Sequence, residues 1–375
     1  MRLAAITNSR IPSLTANSLQ AMKVCQALVQ LGHDLRLFAP AETQAATWDE
    51  LARHYGLSVT FPIQWLPSHR ALKRFDFIGL AGCAARRFRA DLIYTWLPQS
   101  AVLGLWRGYA VILEMHADVA GRLGAWWLRQ FWKAPGRKRL LVTTRALRRA
   151  LERSTRLRFP DEALQVAPNG VDLERYLNLP PPAAARRRLG LREGPTVGFS
   201  GHFYAGRGTS LLFDLARALP QVNFLWAGGT PEAVATWRAR LQAAGLANVT
   251  LSGFIENSRL PLYQAAADVL LMPYSHSIAA SSGQDIAEVI NPMKMFEYMA
   301  AERAIVTSDL PAIREVLDER CAAFCPADDL AAWKQAIEDL LGNEKRRAAL
   351  AGAARRAVEK YTWLARARRA LEGME

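Results

Sequence analysis

Residues 2–38 read RLAAITNSRIPSLTANSLQAMKVCQALVQLGHDLRLF, and their pattern sets the fold class. Arg2–Thr7 is a short β-rich apolar run that enters a polar loop. Asn17 with Gln20 three residues on resembles a capping box and predicts a helix start at Asn17. Leu19, Met22, Cys25, Leu28 and Val29 then recur at helical spacing, Gly32 ends the helix, and Asp34–Phe38 is a second strand. Strand, helix and strand in this order make a βαβ unit, whose right-handed crossover lays two parallel strands together.

The same alternation continues outward. Strands are predicted at Asp91–Thr95, Ala110–Met115 and Arg139–Thr143, with helical stretches between them. After the turn Pro168-Asn169-Gly170, Pro180–Pro182 and Arg186–Arg188 read as a linker. A second series then offers strands at Thr196–Ser200, Val222–Ala227, Asn248–Leu251, Asp268–Met272 and Ala304–Thr307, and helices at Thr209–Leu219, Pro231–Ala244, Leu260–Ala266, Pro292–Ala301 and Leu330–Leu341. Near-continuous apolar strands alternating with helices predict parallel sheets covered on both faces. At roughly 100–200 residues per domain, 375 residues make two domains. The expectation is α/β, with two doubly wound Rossmann-like domains facing a cleft. Residues 1–178 form the first, 179–358 the second, and 359–375 a segment returning to the first.

Composition narrows the function. Four cysteines, Cys25, Cys83, Cys321 and Cys325, with no CxxC pair, read as reduced structural thiols. The longest apolar run, Leu92–Trp106, is broken at Pro98, Gln99 and Ser100, short of the ~18 residues of a bilayer span. The N-terminus lacks a signal-peptide pattern, which points to a cytoplasmic protein. Net charge is +14, and residues 121–160 alone carry twelve Arg/Lys against one acid, Glu152. That segment also holds Trp126, Trp127, Phe131 and Trp132. It fits either an anionic membrane surface, with the protein peripheral on the inner face, or a core-packing helix with a solvated basic face. No nucleic-acid motif accompanies the charge, so nucleic acid is not expected as a partner.

In open α/β sheets ligands bind beyond the carboxyl ends of the strands. Two such loops in the second half carry anion-binding chemistry. Gly201-His202-Phe203-Tyr204-Ala205-Gly206-Arg207-Gly208 follows a strand and precedes a helix. Its glycines let backbone N–H groups approach an anion, and Arg207 adds a cation able to fork onto phosphate. An ordinary strand–helix turn with a surface arginine fits the same residues. The loop 281–292 leads into a helix for which Asn291 is the expected N-cap and Pro292 the first residue. Lys294 stands in its first turn, against the macrodipole, as an anion ligand or as an i,i+3 partner of Glu297. Glu297 in Met295–Met299 is a carboxylate in an apolar stretch, which calls for hydrogen-bond donors such as ribose hydroxyls.

NPMKMFEYMAAERAIVTSDLPAIREV (291–316) resembles the C-terminal signature of family 4 glycosyltransferases, SPxKxFEYMAAGxPIVxSDLP. VAPNGVDLERY (166–176), the GHFYAGRG loop, LSGFI with LPLYQAAADVLLMP (251–273) and ANSLQAMKVCQALVQLGHDL (16–35) resemble the same family in the same order. The resemblance implies the glycosyltransferase-B (GT-B) architecture, with the acceptor on the first domain and a nucleotide sugar on the second. It implies a retaining transfer without metal or other cofactor, onto a glycan or lipid-linked acceptor, in cell-surface glycan or glycolipid synthesis. By resemblance, Arg207 and Lys294 meet the donor diphosphate together with Gly201, His202, Gly208, Asn291 and Pro292. Glu297 meets the ribose, Gly253, Phe254 and Ile255 meet the base, and Leu260 packs on that base or fills the core. His116, at a strand end, stands near the transferred sugar or is a hydrogen-bonded structural histidine, and Ser13 and Asn17 lie in the N-terminal loop on the acceptor side. The sequence departs from the family at Val289, where the first glutamate of E-x7-E belongs beside Glu288, and at His202, where arginine is common. A nucleotide-sugar epimerase of the same fold, and a non-catalytic binding protein favoured by these departures, are the competing readings.

Overall fold

The computed structural model describes residues 1–41, 46–72, 74–279 and 285–374. The chain divides into two compact units, Met1–Asn169 with Trp363–Glu375, and Gly170–Thr362.

Unit 1 is built on a seven-stranded sheet of β1 (Arg2–Ile6), β2 (Asp34–Pro40), β3 (Ile63–Leu66), β4 (Leu92–Thr95), β5 (Ala110–Met115), β6 (Lys138–Val142) and β7 (Leu164–Val166). Its order is β3-β2-β1-β4-β5-β6-β7, and every pairing is parallel. The order reverses between β1 and β4, which makes the loops after those strands the topological switch point. The helices are α1 (Ala16–Gln30), α2 (Trp48–Tyr55), α3 (Phe75–Arg87), α4 (Pro98–Trp106), α5 (Gly121–Lys133) and α6 (Arg145–Thr155). The final helix, Trp363–Leu371, belongs to this unit and packs against α1. Helix α1 starts one residue before Asn17, and its cap is Thr15, whose side chain accepts from the Ser18 amide at 3.4 Å. Asn17 is exposed in the first turn and Gln20 points into the core, so the expected capping box does not form.

Unit 2 carries β8 (Thr196–Ser200), β9 (Asn223–Ala227), β10 (Val249–Gly253), β11 (Val269–Met272), β12 (Ala304–Ser308) and β13 (Ala323–Cys325), in the order β10-β9-β8-β11-β12-β13. All its pairings are again parallel. Its helices are α7 (Pro182–Leu189), α8 (Thr209–Ala218), α9 (Pro231–Ala243), α10 (Leu260–Ala265), α11 (Met293–Ala300), α12 (Leu330–Gly342) and α13 (Glu344–Ala357). Strands β8, β11 and β12 are buried along their whole length, as a sheet covered on both faces requires. The stretch expected as a linker is α7, which starts at Pro182 and ends on left-handed Gly190. Arg186 turns inward there, pairing with Asp268 at 3.0 Å and donating to the Ala266 carbonyl at 2.9 Å. The three consecutive arginines read as part of a linker, but helical spacing sends one of them, Arg186, into the core. Among the four free cysteines, Cys25, Cys321 and Cys325 are buried and Cys83 is exposed.

Candidate functional site

The carboxyl ends of β8 and β11 and the start of α11 bring the strongest group of sequence candidates together within unit 2. The loop after β8 is shaped by close backbone approach. A Cβ on Gly208 would lie 1.9 Å from the Pro273 carbonyl oxygen, and its φ of +80° is left-handed, so only glycine fits. A Cβ on Gly201 would lie 2.9 Å from Lys294 Nζ, which places the lysine directly against the loop. Lys294 Nζ sits 3.9 Å from the Phe199 ring centroid and 5.4 Å from that of Tyr274. The Arg207 guanidinium lies 5.5 Å from the Tyr274 centroid, and its Nε is buried without a hydrogen-bond partner. The two cations thus share one aromatic floor. Burial, then the neighbouring Arg207, hold the Lys294 ammonium well below its ordinary pKa, and Glu297 only partly opposes this.

Glu297 is 8% exposed, and its Oε2 accepts from Gln264 Nε2 at 3.2 Å. Tyr176 donates to Gln264 Oε1 at 3.0 Å, and Ser200 stands 3.3 Å from Gln264 Nε2. The carboxylate is therefore aimed by side chains from three separate segments. Asn291 lies one position before the observed cap of α11, which is Pro292 in extended conformation with no side-chain cap bond. The helix starts at Met293 because the extended Pro292 withholds helical geometry until the next residue. His202 stacks on Tyr204 with centroids 4.7 Å apart and planes 6° apart. Gly253 has φ +68° and accepts at its carbonyl from the Gly228 amide at 2.7 Å, while Phe254 beside it is 42% exposed. Ile255 follows, and Leu260 opens α10 half-buried. Val289 is buried and Glu288 exposed on the short turn 287–289, whose backbone is held by Asp285 accepting from the Ile278 and Ala287 amides at 3.0 Å each. Residues 281–284 of the same loop lie outside the described residues.

Unit 1 places the other candidates at the carboxyl end of its sheet. His116 follows β5, and its Nε2 stands 2.5 Å from Glu114 Oε1. Glu114 is fully buried and gathers further donors: Gln20 Nε2 at 2.6 Å, the Tyr94 hydroxyl, and Arg366 of the final helix at 3.2 and 2.5 Å. Burial alone would raise the Glu114 pKa. Arg366, then His116 and Tyr94, more than offset that and bring it to about 2. Ser13 is engaged locally, its amide donating to Tyr55 at 2.8 Å and its Oγ lying 2.9 Å from those of Thr15 and Ser18. Sequence reasoning missed Glu114, Arg366, Tyr94 and Gln264. A carboxylate inside the apolar strand VILEM was the one local signal.

A family model described as Glycosyltransferase Family 4 matches residues 20–175, and one described as Glycosyl transferases group 1 matches residues 194–343. The chain belongs to the family 4, group 1 glycosyltransferases. Among the relatives of this glycosyltransferase is the GDP-mannose-dependent α-(1-6)-phosphatidylinositol monomannoside mannosyltransferase of Mycolicibacterium smegmatis, 27% identical over 367 residues, or 91% of this chain and 90% of that protein. The putative teichuronic acid biosynthesis glycosyltransferase TuaH of Bacillus subtilis is 26% identical over 181 residues, 48% of this chain, and the match spans only 43% of TuaH. HepE of Anabaena, solved in complex with UDP-glucose, matches at a TM-score of 0.75 with 16% identity, over 100% of this chain and 99% of that one. The fold is accordingly GT-B.

Proposed function

We propose that this glycosyltransferase transfers a sugar from a nucleotide-sugar donor to an acceptor hydroxyl with retention of configuration and without a metal, in the synthesis of a cell-surface glycan or glycolipid. The observation that carries this is the pair Lys294 and Arg207, two half-buried cations over one aromatic floor beside a glycine-shaped loop. Holding like charges together costs free energy that a diphosphate returns. In this reading Arg207, Lys294 and the amides at the start of α8 stabilise the charge that develops on the leaving diphosphate. The bond from the anomeric carbon to the phosphate oxygen breaks, and the acceptor oxygen bonds to that carbon on the same face. The acceptor's proton passes to the departing phosphate oxygen. Glu297, aimed by Gln264, accepts from the ribose hydroxyls.

A thermal-shift panel of UDP-, GDP-, ADP- and TDP-sugars with EDTA present tests the reading, since a ligand of the native state raises the midpoint. GDP-mannose and UDP-glucose come first, because relatives are named for or solved with them. One nucleotide class should stabilise the wild type and fail with Arg207→Ala and Glu297→Ala. No shift in any arm, or transfer at the wild-type rate in both variants, refutes it. Products formed only with an acceptor separate transfer from epimerisation.

The basic segment 121–160 supports a second element of this reading, contact with an anionic membrane surface. Helix α5 buries Ala125, Leu128 and Phe131 but leaves Leu123 at 59% and Trp126 at 42% exposure. Phe75, 44% exposed, lies 6.1 Å from the Trp127 ring, which is 4.7 Å from Trp126. Trp132 is not part of this face, because it packs edge-on against Phe159 at 5.0 Å. On the same segment Arg145, Arg148, Arg149 and Arg158 line a cavity of about 560 Å³. Exposed rings and arginines carried by one segment are the two side-chain classes that an anionic lipid surface takes up. No helix among the described residues is long and apolar enough to cross a membrane. Flotation with phosphatidylglycerol vesicles, lost with phosphatidylcholine and in Phe75→Ser/Trp126→Ser, is the expected outcome. Equal flotation of that variant discards the contact.

A further inference from the structure

We infer that Glu114 and Arg366 are positioning residues that lock the His116 imidazole in the Nε2–H tautomer and so present Nδ1 as a hydrogen-bond acceptor. The inference rests on the reading of His116 as the histidine that faces the transferred sugar, and it adds which hydrogen bond that ring can make.

The argument begins with the carboxylate. Glu114 lies in β5 with no solvent access, and four side chains point donors at it: Gln20, Tyr94, Arg366 and His116. The Arg366 guanidinium, 2% exposed, meets both carboxylate oxygens and also donates to the Ala167 and Pro168 carbonyls, so its position is fixed from two sides. This buried countercharge keeps Glu114 ionised, and an ionised carboxylate only accepts hydrogen bonds. The proton in the 2.5 Å contact with His116 therefore belongs to Nε2. A neutral imidazole carries one N–H, so Nδ1 has a free lone pair. No described residue bonds to Nδ1, and the ring is 23% exposed. A group with a proton to give, such as a sugar hydroxyl, matches that atom, whereas a carboxylate or phosphate oxygen does not.

Arg366 acts on the ring through Glu114, which lies 252 residues before it in sequence. If its charge were removed, a buried Glu114 would take up a proton, and a carboxylic acid could donate to Nε2 and reverse the tautomer.

The test uses the full chain labelled with ¹⁵N-histidine, with the His116 signals assigned by their loss in His116→Gln. Long-range ¹H–¹⁵N spectra at mildly alkaline pH should show a protonated Nε2 and an unprotonated Nδ1. A proton on Nδ1, alone or on both nitrogens, overturns the inference with no variant needed. The paired variant Glu114→Gln/Arg366→Met leaves no unbalanced buried charge, so it is expected to fold and to show both tautomers. A single unchanged Nε2–H tautomer in that folded variant removes Glu114 from the role. Tyr94→Phe, which takes away one donor and keeps the charges, should retain the wild-type tautomer. With a donor from the nucleotide panel, the paired variant should lose about tenfold in kcat, the cost of one misdirected hydrogen bond, with the donor KM within about twofold. Equal falls in donor affinity and kcat would mark general damage instead. Wild-type transfer by His116→Gln would refute the sugar-facing reading while leaving the tautomer result standing.

Discussion

Replacing Arg366 by Met alone should destabilise unit 1 strongly, because it strands a carboxylate that has no access to water. The size follows from two routes. Removing one partner of a buried ion pair costs about 3–5 kcal/mol. Independently, the fall of the Glu114 pKa from 4.5 to about 2 is worth about 3 kcal/mol at neutral pH, at about 1.4 kcal/mol per unit. For a unit of about 180 residues a loss of this size lowers the midpoint by roughly 10 °C. The assay is thermal unfolding followed by tryptophan fluorescence from neutral to acid pH. Because the folded pKa is depressed, this stabilisation is complete above 4.5 and disappears as pH falls through about 2. The wild type should thus weaken toward acid more steeply than Arg366→Met, and the gap between them should close. A neutral-pH difference under about 2 °C, or one that stays constant on acidification, would show that Arg366 does not carry the charge of Glu114. Recovery of most of the lost midpoint in Glu114→Gln/Arg366→Met would locate the cost in the unpaired carboxylate.

Lys294→Met should weaken nucleoside diphosphate binding by about ten- to a hundredfold, the worth of one charge-assisted hydrogen bond, while raising the midpoint of the ligand-free protein. A bound diphosphate raises the depressed pKa of Lys294, so binding above that depressed value should take up a proton, seen by calorimetry as enthalpies that differ between buffers. Below it, where both cations are charged, and in Lys294→Met, the uptake should vanish. The free protein should gain stability as pH rises from the depressed value toward 10.5, since only the unfolded chain then still holds that proton. Gly208→Ala should cost about 2 kcal/mol or more in urea unfolding, because its Cβ meets the Pro273 carbonyl and its φ is left-handed.

The central strands were legible because burial on both faces leaves an uninterrupted apolar run. Thr196–Ser200 and Ala110–Met115 are strands with the bounds their patterns predict. The unpredicted strands β3, β7 and β13 are edge strands of three or four residues, too short to leave a pattern. Helix α7 was hidden because Arg186 gives no sequence sign of the Asp268 that draws it inward. The cap of α1 was misplaced because Asn17 and Thr15 both suit the role, and only backbone geometry selects Thr15. In the candidate site Gly208, Arg207, Lys294 and Glu297 were readable because each sits in a short local pattern. Their supports were not, since Phe199, Gln264, Tyr274 and Tyr176 reach them from distant segments. The same holds for the tie between Glu114 and Arg366.

The final helix gives the protein an order of assembly. Unit 2 is one continuous stretch, so a ribosome delivers it whole, whereas unit 1 is missing Arg366 until synthesis has passed through both. A nascent chain stopped short of that codon lacks the helix that packs against α1 and leaves Glu114 without its buried counterion. Unit 1 therefore gains its charge balance only when a helix encoded after all of unit 2 docks, so its folding is tied to a late segment of the chain.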